Sequence, residues 1–133
     1  MNEPPALREP VVLLVEDNER NLKLARDVLE FSGFIVRVAT TGEDAVRQAM
    51  TSPPDLILMD LQLPGIDGNE ALARLRGDPG TSGIPVVALT AFAMRDDRER
   101  ALGAGFDGYL EKPINVRSFP DQVRAHLRTE DGR

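Results

Sequence analysis

Residues 56–68 read LILMDLQLPGIDG. They begin with four large apolar side chains, Leu56–Met59, and Asp60 follows this run. A short apolar run of this kind is typical of a β-strand that is buried on both faces. Pro64 and Gly65 then predict a turn, and Asp67 is a suitable N-cap for a helix. The stretch therefore predicts a strand, a loop and a helix, with a carboxylate at the end of the strand.

The same strand–helix order recurs on both sides of this stretch. The predicted strands are Val11–Val15, Ile35–Ala39, Leu56–Met59, Val86–Leu89 and Gly108–Leu110. The predicted helices are Glu19–Ser32, about Gly42–Thr51, one that starts after Asp67, about Met94–Gly103 and one that begins near Pro120. This alternation predicts an α/β fold, in which a doubly wound parallel sheet carries helices on both faces.

The length of 133 residues fits one domain. We expect the folded domain to cover residues 11–128. The Pro-rich segment Met1–Pro10 is expected to be a flexible leader, and the polar residues 129–133 a C-terminal tail. The sequence has neither an apolar run of membrane-spanning length nor a secretory signal core, so we expect a cytoplasmic protein.

Composition excludes several classes of site. The chain has no cysteine, which excludes disulfides, thiolate nucleophiles and cysteine-based metal sites. Its single histidine, His126, argues against a Ser-His-Asp triad and against a multi-histidine metal site. The net charge of -6 makes direct binding to nucleic acid or to an anionic membrane unfavourable.

Polar side chains follow every predicted strand, although the second offers only Thr40 and Thr41. Glu16 and Asp17 follow the first, Asp60 the third, Thr90 the fourth and Lys112 the fifth. Because ligands of an open parallel sheet bind outside the carboxyl ends of its strands, we expect these groups to converge at one edge.

This set of groups points to a definite chemistry. Three crowded carboxylates raise each other's pKa values, and a divalent cation removes that cost. Hard oxygen ligands with little else nearby favour Mg²⁺. A metal ion and a lysine together suit the transfer of a phosphoryl group, and an aspartate there can itself be the nucleophile that forms an acyl phosphate.

Each residue alone also has a simpler interpretation. Glu16, Asp17 and Asp60 are suitable turn or capping residues, since carboxylates often stand after strands. Thr90 fits a strand end, and Lys112 fits a solvated surface charge. The position of the whole set at strand ends is what favours a common site.

In combination, the motifs resemble those of the receiver domains of two-component response regulators, the CheY-like family, over about Val11–Leu127. LLVEDN is similar to the family's acidic pair and LILMDLQLPGIDG to its phosphoacceptor stretch. VVALTA is similar to the stretch with the family's hydroxyl residue, and GYLEKPI to the one with its switch aromatic and its lysine. NVRSFPDQV in the last helix resembles single-domain and hybrid-kinase receivers of the DivK type.

The resemblance implies a five-stranded sheet in the order 2-1-3-4-5 with five helices. It also implies that Asp60 takes a phosphoryl group from a phosphohistidine of a sensor histidine kinase or of a histidine phosphotransfer protein. Mg²⁺ would be the cofactor, held by Asp17, Asp60 and the backbone carbonyl of Gln62, with Glu16 acting largely through water.

The remaining roles also follow from the resemblance. Lys112 would contact the phosphoryl oxygens, and Thr90 would move to hydrogen-bond to them. Tyr109 would rotate inward into the space that Thr90 leaves. The Lys112–Pro113 bond would be cis, and only an X-Pro bond adopts that form at low cost.

These inferences predict a phosphorylation-dependent switch that binds a partner protein and is not an enzyme beyond assisting its own phosphorylation and dephosphorylation. The partner surface would combine the fourth helix, the fifth strand and the fifth helix, although a solvated mixed-charge face is the simpler interpretation of Arg95–Arg100.

The alternative function is a phosphate shuttle or sink in a phosphorelay. A haloacid-dehalogenase-like phosphatase is disfavoured because Gln62 stands where that family needs a second aspartate. A degenerate receiver used only as an interaction module is disfavoured by the complete residue set.

Overall fold

The computed structural model describes residues 9–91 and 96–127. Most of the expected leader and all of the expected tail lie outside these ranges, as does the predicted start of the fourth helix at Met94.

The elements alternate strictly between strand and helix. The strands are β1 (Val11–Val15), β2 (Ile35–Ala39), β3 (Leu56–Asp60), β4 (Val86–Thr90) and β5 (Gly108–Glu111). The helices are α1 (Glu19–Phe31), α2 (Gly42–Thr51), α3 (Gly68–Arg76), α4 (Asp97–Ala104) and α5 (Phe119–Ala125).

The five strands form one parallel sheet in the order β2-β1-β3-β4-β5. The predicted fold and strand order are therefore confirmed. All residues of β3 and β4 are buried, as their apolar sequences predict for strands covered on both faces. The register places Asp60 of β3 opposite Leu89 of β4, and Thr90 opposite Glu111 of β5. The ends of these three strands thus lie side by side.

Two apolar cores lie on opposite faces of the sheet. On one face, α2, α3 and α4 contribute Ala45, Leu72 and Ala101 to the core. On the other, Leu29 of α1 packs with Phe119 and Val123 of α5. Because both faces are covered, the strand ends are the part of the sheet left for polar groups.

Side-chain caps fix the starts of the helices that border the site. Asn18 accepts a hydrogen bond from the Asn21 backbone N–H at 3.0 Å and begins α1. Thr41 caps α2 in the same way through the Asp44 N–H, at 3.0 Å. Asp67 caps α3, as predicted. Each such cap satisfies a backbone donor that the helix leaves open.

The predicted element boundaries differ from the structure at a few ends. The first helix ends at Phe31, and Ser32 is its C-cap. The last strand continues to Glu111, which pairs with Thr90 of β4. The fourth helix ends at Ala104, because Gly105 supplies the left-handed C-cap conformation with φ 110°. None of the described helices combines the length and apolar character needed to cross a bilayer.

Candidate functional site

Three carboxylates meet where β1 and β3 end. Glu16, Asp17 and Asp60 each have one oxygen within 4.8 Å of the others. Glu16 and Asp60 are only 2% and 4% exposed, whereas Asp17 is exposed to solvent. The predicted convergence of these residues is therefore present, with two carboxylates buried and one at the surface.

The Lys112 ammonium lies between the two buried carboxylates. Its Nζ is 2.8 Å from Glu16 Oε1 and 2.9 Å from Asp60 Oδ2. The Lys112 backbone is held at the end of β4 because its N–H donates to the Thr90 carbonyl at 2.7 Å. The Lys112–Pro113 bond is cis, as predicted. One cation thus neutralises part of the charge of a buried acidic pair.

The pKa values of this group follow from burial and pairing. Burial raises the pKa of Glu16, and the neighbouring Asp60 adds to the rise, while the bond from Lys112 opposes it. Burial alone would lower the pKa of Lys112, but its bonds to Glu16 and Asp60 outweigh this effect and raise it. Lys112 is therefore a permanent cation at neutral pH.

The second oxygen of each buried carboxylate is held by the backbone. The Asn18 N–H donates to Glu16 Oε2 at 3.1 Å, and the Gln62 N–H donates to Asp60 Oδ1 at 2.8 Å. Both carboxylates are therefore fixed in orientation from two sides. For Asp60, the fixing group belongs to the loop that follows its own strand.

Thr90 and Tyr109 lie on β4 and β5, the two strands that follow β3 in the sheet. Thr90 is 3% exposed and ends β4, beside the end of β3. Tyr109 is 6% exposed and pairs with Ala88 in the sheet. It lies in the core that also contains Ala101 of α4. The structure thus places Thr90 at the acidic edge and Tyr109 away from it, beneath α4.

The Tyr109 side chain is buried, including its hydroxyl group. Its hydroxyl makes no hydrogen bond with any group in the structure's described portion. Burial raises the pKa of this phenol, and the carboxylates of Asp97 and Glu111 add to the rise.

The donor set fits a hard divalent cation. Glu16, Asp17 and Asp60 offer only carboxylate oxygens, which are the ligands that Mg²⁺ prefers. Asp17 is exposed and is thus open to an ion that keeps several of its waters. A lysine already bound to two of the three carboxylates limits their negative charge, so a bound ion there would be held by few protein ligands.

Comparison with known proteins identifies the family. Residues 12–124 match the response regulator receiver domain family. This chain belongs to that family. As a receiver domain it is part of two-component signalling, and its cluster of Glu16, Asp17 and Asp60 is compatible with Mg²⁺ binding and phosphorylation.

Individual relatives agree with the assignment. The polar-differentiation response regulator DivK of Brucella ovis is 44% identical over 116 residues, which cover 87% of this chain and 94% of that protein. The receiver domain of sensor histidine kinase PA1611 from Pseudomonas aeruginosa has a TM-score of 0.82 and 36% identity, covering 89% of this chain and 97% of that one. That crystal structure has a magnesium ion coordinated in its active site cleft.

A CheY-like response regulator receiver domain protein from Methanospirillum hungatei has a TM-score of 0.77. It is 27% identical and covers 88% of this chain and 92% of that one. The likeness to DivK agrees with the subgroup indicated by the last helix.

Sequence reasoning missed two contacts of the site. It placed Lys112 opposite a metal ion but did not foresee that the ammonium binds Glu16 and Asp60 directly. It also gave no role to Glu43, whose carboxylate contacts the loop after β3. Glu43 and Ile66 are 23 positions apart, and no local pattern indicates that they meet.

Proposed function

We propose that this receiver domain accepts a phosphoryl group on Asp60, with Mg²⁺ as cofactor, and thereby switches a protein-binding surface. The donor would be a phosphohistidine on a sensor histidine kinase or on a histidine phosphotransfer protein. One observation carries the proposal: a buried Asp60 carboxylate lies within bonding distance of a lysine and next to two further carboxylates. We also propose that the protein works in the cytoplasm, with residues 11–128 as the functional unit.

The transfer step requires a bond change at phosphorus. An oxygen of Asp60 forms the new P–O bond, the P–N bond to the donor imidazole breaks, and the imidazole retains that electron pair. The ion would be held by Asp17, Asp60 and the Gln62 carbonyl, with Glu16 contributing through water. Its chemistry would be to neutralise charge that develops on the phosphoryl oxygens.

The chain's own residues do the rest. Lys112 already points its Nζ at Asp60 Oδ2, so a short movement brings it to an oxygen of an incoming phosphoryl group. The Gln62 N–H orients the carboxylate from the other side. The domain thus supplies an aligned nucleophile and a cation, whereas the partner supplies the leaving group, which is consistent with a phosphoacceptor rather than an enzyme with its own substrate.

The output would pass through α4, β5 and α5. Thr90 at the acidic edge and Tyr109 beneath α4 lie on the neighbouring strands β4 and β5. The switch would require that a movement of Thr90 changes the space open to Tyr109. The downstream partner would be a protein that reads this face. A hydroxyl–phosphoryl contact contributes only about 1–3 kcal/mol, so the switch would be a shift of populations.

Asp17→Ala is expected to abolish Mg²⁺-dependent phosphorylation and to weaken Mg²⁺ binding by at least about tenfold, the equivalent of roughly 1.4 kcal/mol. The fold should persist without loss of melting temperature, because the exposed Asp17 carboxylate adds repulsion to the site. Titration calorimetry with Mg²⁺ and intact mass after incubation with a small phosphodonor measure both effects. Asp27→Ala, at an exposed position of α1, is the matched control; unchanged Mg²⁺ affinity in Asp17→Ala would contradict the metal assignment.

Thr90→Ala and Tyr109→Ala are expected to leave phosphorylation of Asp60 largely intact while weakening phosphorylation-dependent partner binding. The ratio of partner affinities with and without the phosphoryl group should fall by on the order of fivefold or more, because each variant removes about 1 kcal/mol of the free-energy difference between the two states. The measurement is partner affinity with and without a beryllium fluoride adduct. If both variants keep the parent's ratio of affinities, the signal does not leave through this face. If the parent itself shows a ratio of one, the domain acts as a phosphate shuttle or sink instead.

A further inference from the structure

The first turn of α2 packs directly against the loop that follows β3. Glu43 Oε2 accepts a hydrogen bond from the Ile66 backbone N–H at 3.3 Å. The neighbouring Gly65 has a φ of 77°, and a Cβ at this position would lie 2.6 Å from Glu43 Oε1. The Glu43 carboxylate therefore covers the backbone of two successive loop residues, and glycine is the residue that permits this approach.

A second contact strengthens this junction. A Cβ on Gly42 would lie 2.6 Å from the Ile66 side chain and 2.7 Å from the Ile66 carbonyl oxygen. Gly42 is buried, so the backbone at the start of α2 and the Ile66 segment are in van der Waals contact. The loop is thus held against α2 by a backbone hydrogen bond to Glu43 and by close packing at Gly42.

The two ends of this loop serve the site. At its start, the Gln62 N–H donates to Asp60 Oδ1. At its end, Gly68 packs closely on the Asp60 carbonyl oxygen, since a Cβ there would lie 3.2 Å from it. Only four residue steps separate Gln62 from Ile66, at most about 14 Å of extended chain. Ile66 and Gln62 thus belong to one short loop whose contacts at Glu43, Asp60 and Gly68 are all close to the site.

We propose that Glu43 is a positioning residue for the Asp60 site. Its carboxylate would hold the loop so that the Gln62 N–H stays on Asp60 Oδ1 and the Gln62 carbonyl stays available to a metal ion. The inference rests on the proposed phosphorylation of Asp60 and extends it to a residue on a different element. Glu43 is exposed and its bond to Ile66 is long, so the expected effect is severalfold rather than complete.

Three variants separate positioning from helix stability and from charge. Glu43→Ala removes the acceptor, whereas Glu43→Gln keeps an acceptor oxygen without the charge. Asp44→Ala removes an acidic side chain from the same first turn of α2, but Asp44 bonds to Arg47 and Gln48 and not to the loop. It is the control for loss of negative charge and for loss of helix stability.

The readouts are hydrogen exchange of the Ile66 amide by NMR, Mg²⁺ affinity by calorimetry, and the rate of phosphorylation by a small phosphodonor. In Glu43→Ala we expect faster Ile66 exchange, Mg²⁺ affinity lowered about two- to fivefold and phosphorylation slowed by a similar factor. In Glu43→Gln, Ile66 exchange, Mg²⁺ affinity and phosphorylation rate should all stay within about twofold of the parent values. Asp44→Ala should leave these three quantities unchanged even if it lowers the melting temperature.

The outcomes that overturn the inference are distinct from those that overturn the proposed function. Parental Ile66 exchange and Mg²⁺ affinity in Glu43→Ala would show that the contact positions nothing. Equal defects in Glu43→Ala and Asp44→Ala would assign the effect to α2 stability. If the parent chain takes no phosphoryl group, the proposed function fails, while Ile66 exchange and Mg²⁺ affinity still decide whether Glu43 positions the loop.

Discussion

Asp60→Asn is expected to eliminate phosphoryl acceptance completely. The asparagine side chain keeps the shape of the site and an acceptor for the Gln62 N–H, but its amide is not a nucleophile for phosphorus. It also removes one of the two carboxylates that bind Lys112, and Glu16 remains as the partner of that ammonium. The variant should therefore fold normally. Intact mass after incubation with a small phosphodonor and Mg²⁺ should show one added phosphoryl group in the parent and none in the variant.

A matched control is available next to the other end of β3. Asp55 directly precedes β3, at the amino ends of the strands, where its Oδ2 accepts a hydrogen bond from the Val11 N–H. Asp55→Asn changes the same functional group and should be phosphorylated like the parent. A full stoichiometry of label in Asp60→Asn would show that another residue is the acceptor. A pulldown that compares the phosphorylated parent with Asp60→Asn would then identify the proteins that read the modification.

The sheet was predictable because its strands have a strong and simple pattern. β1, β3 and β4 are short apolar runs; β3 and β4 end in a polar residue and β1 is followed by one, and the structure places each strand within one residue of the predicted range. α4 was predicted less well. It has a single buried residue, Ala101, and no side-chain cap, so its sequence contains little apolar periodicity to mark its start. Its predicted first residues, Met94 and Arg95, lie outside the described ranges.

The members of the site were also predictable, since parallel strands end at one edge and carry their following residues there. The pairing among those members was not. Lys112 is separated from Glu16 by 96 positions and from Asp60 by 52, and only the folded chain shows that one ammonium binds both. The buried position of Tyr109 likewise depends on the space beneath α4. Strand order came from the family resemblance, because alternation alone does not specify it.

Lys112→Met is expected to cost the fold about 3–5 kcal/mol at neutral pH, because it leaves two buried carboxylates facing each other without their cation. Methionine replaces much of the aliphatic stem, so the loss reports charge more than packing. Removing the bond from Lys112 also removes the main influence that opposes the raised pKa of Glu16. A carboxyl group whose pKa is higher in the folded than in the unfolded state stabilises the fold at low pH, and this contribution is lost as the pH rises. The loss of unfolding free energy in Lys112→Met should therefore be small near about pH 4 to 5 and largest above neutrality.

Mg²⁺ provides the decisive comparison for this variant. A divalent cation at Glu16, Asp17 and Asp60 replaces the lost positive charge, so Mg²⁺ should raise the melting temperature of Lys112→Met more than that of the parent. Lys23→Met is the control, since Lys23 pairs with Asp27 at the surface and both side chains are more than half exposed. Lys23→Met should alter the free energy of unfolding by less than about 0.5 kcal/mol, and its melting temperature should respond to Mg²⁺ like that of the parent.

Denaturant unfolding at pH 5 and pH 7.5, with and without Mg²⁺, measures all of these differences. A pH-independent deficit that Mg²⁺ does not reduce would mean that Lys112 acts through packing, and that the three carboxylates do not form one electrostatic unit.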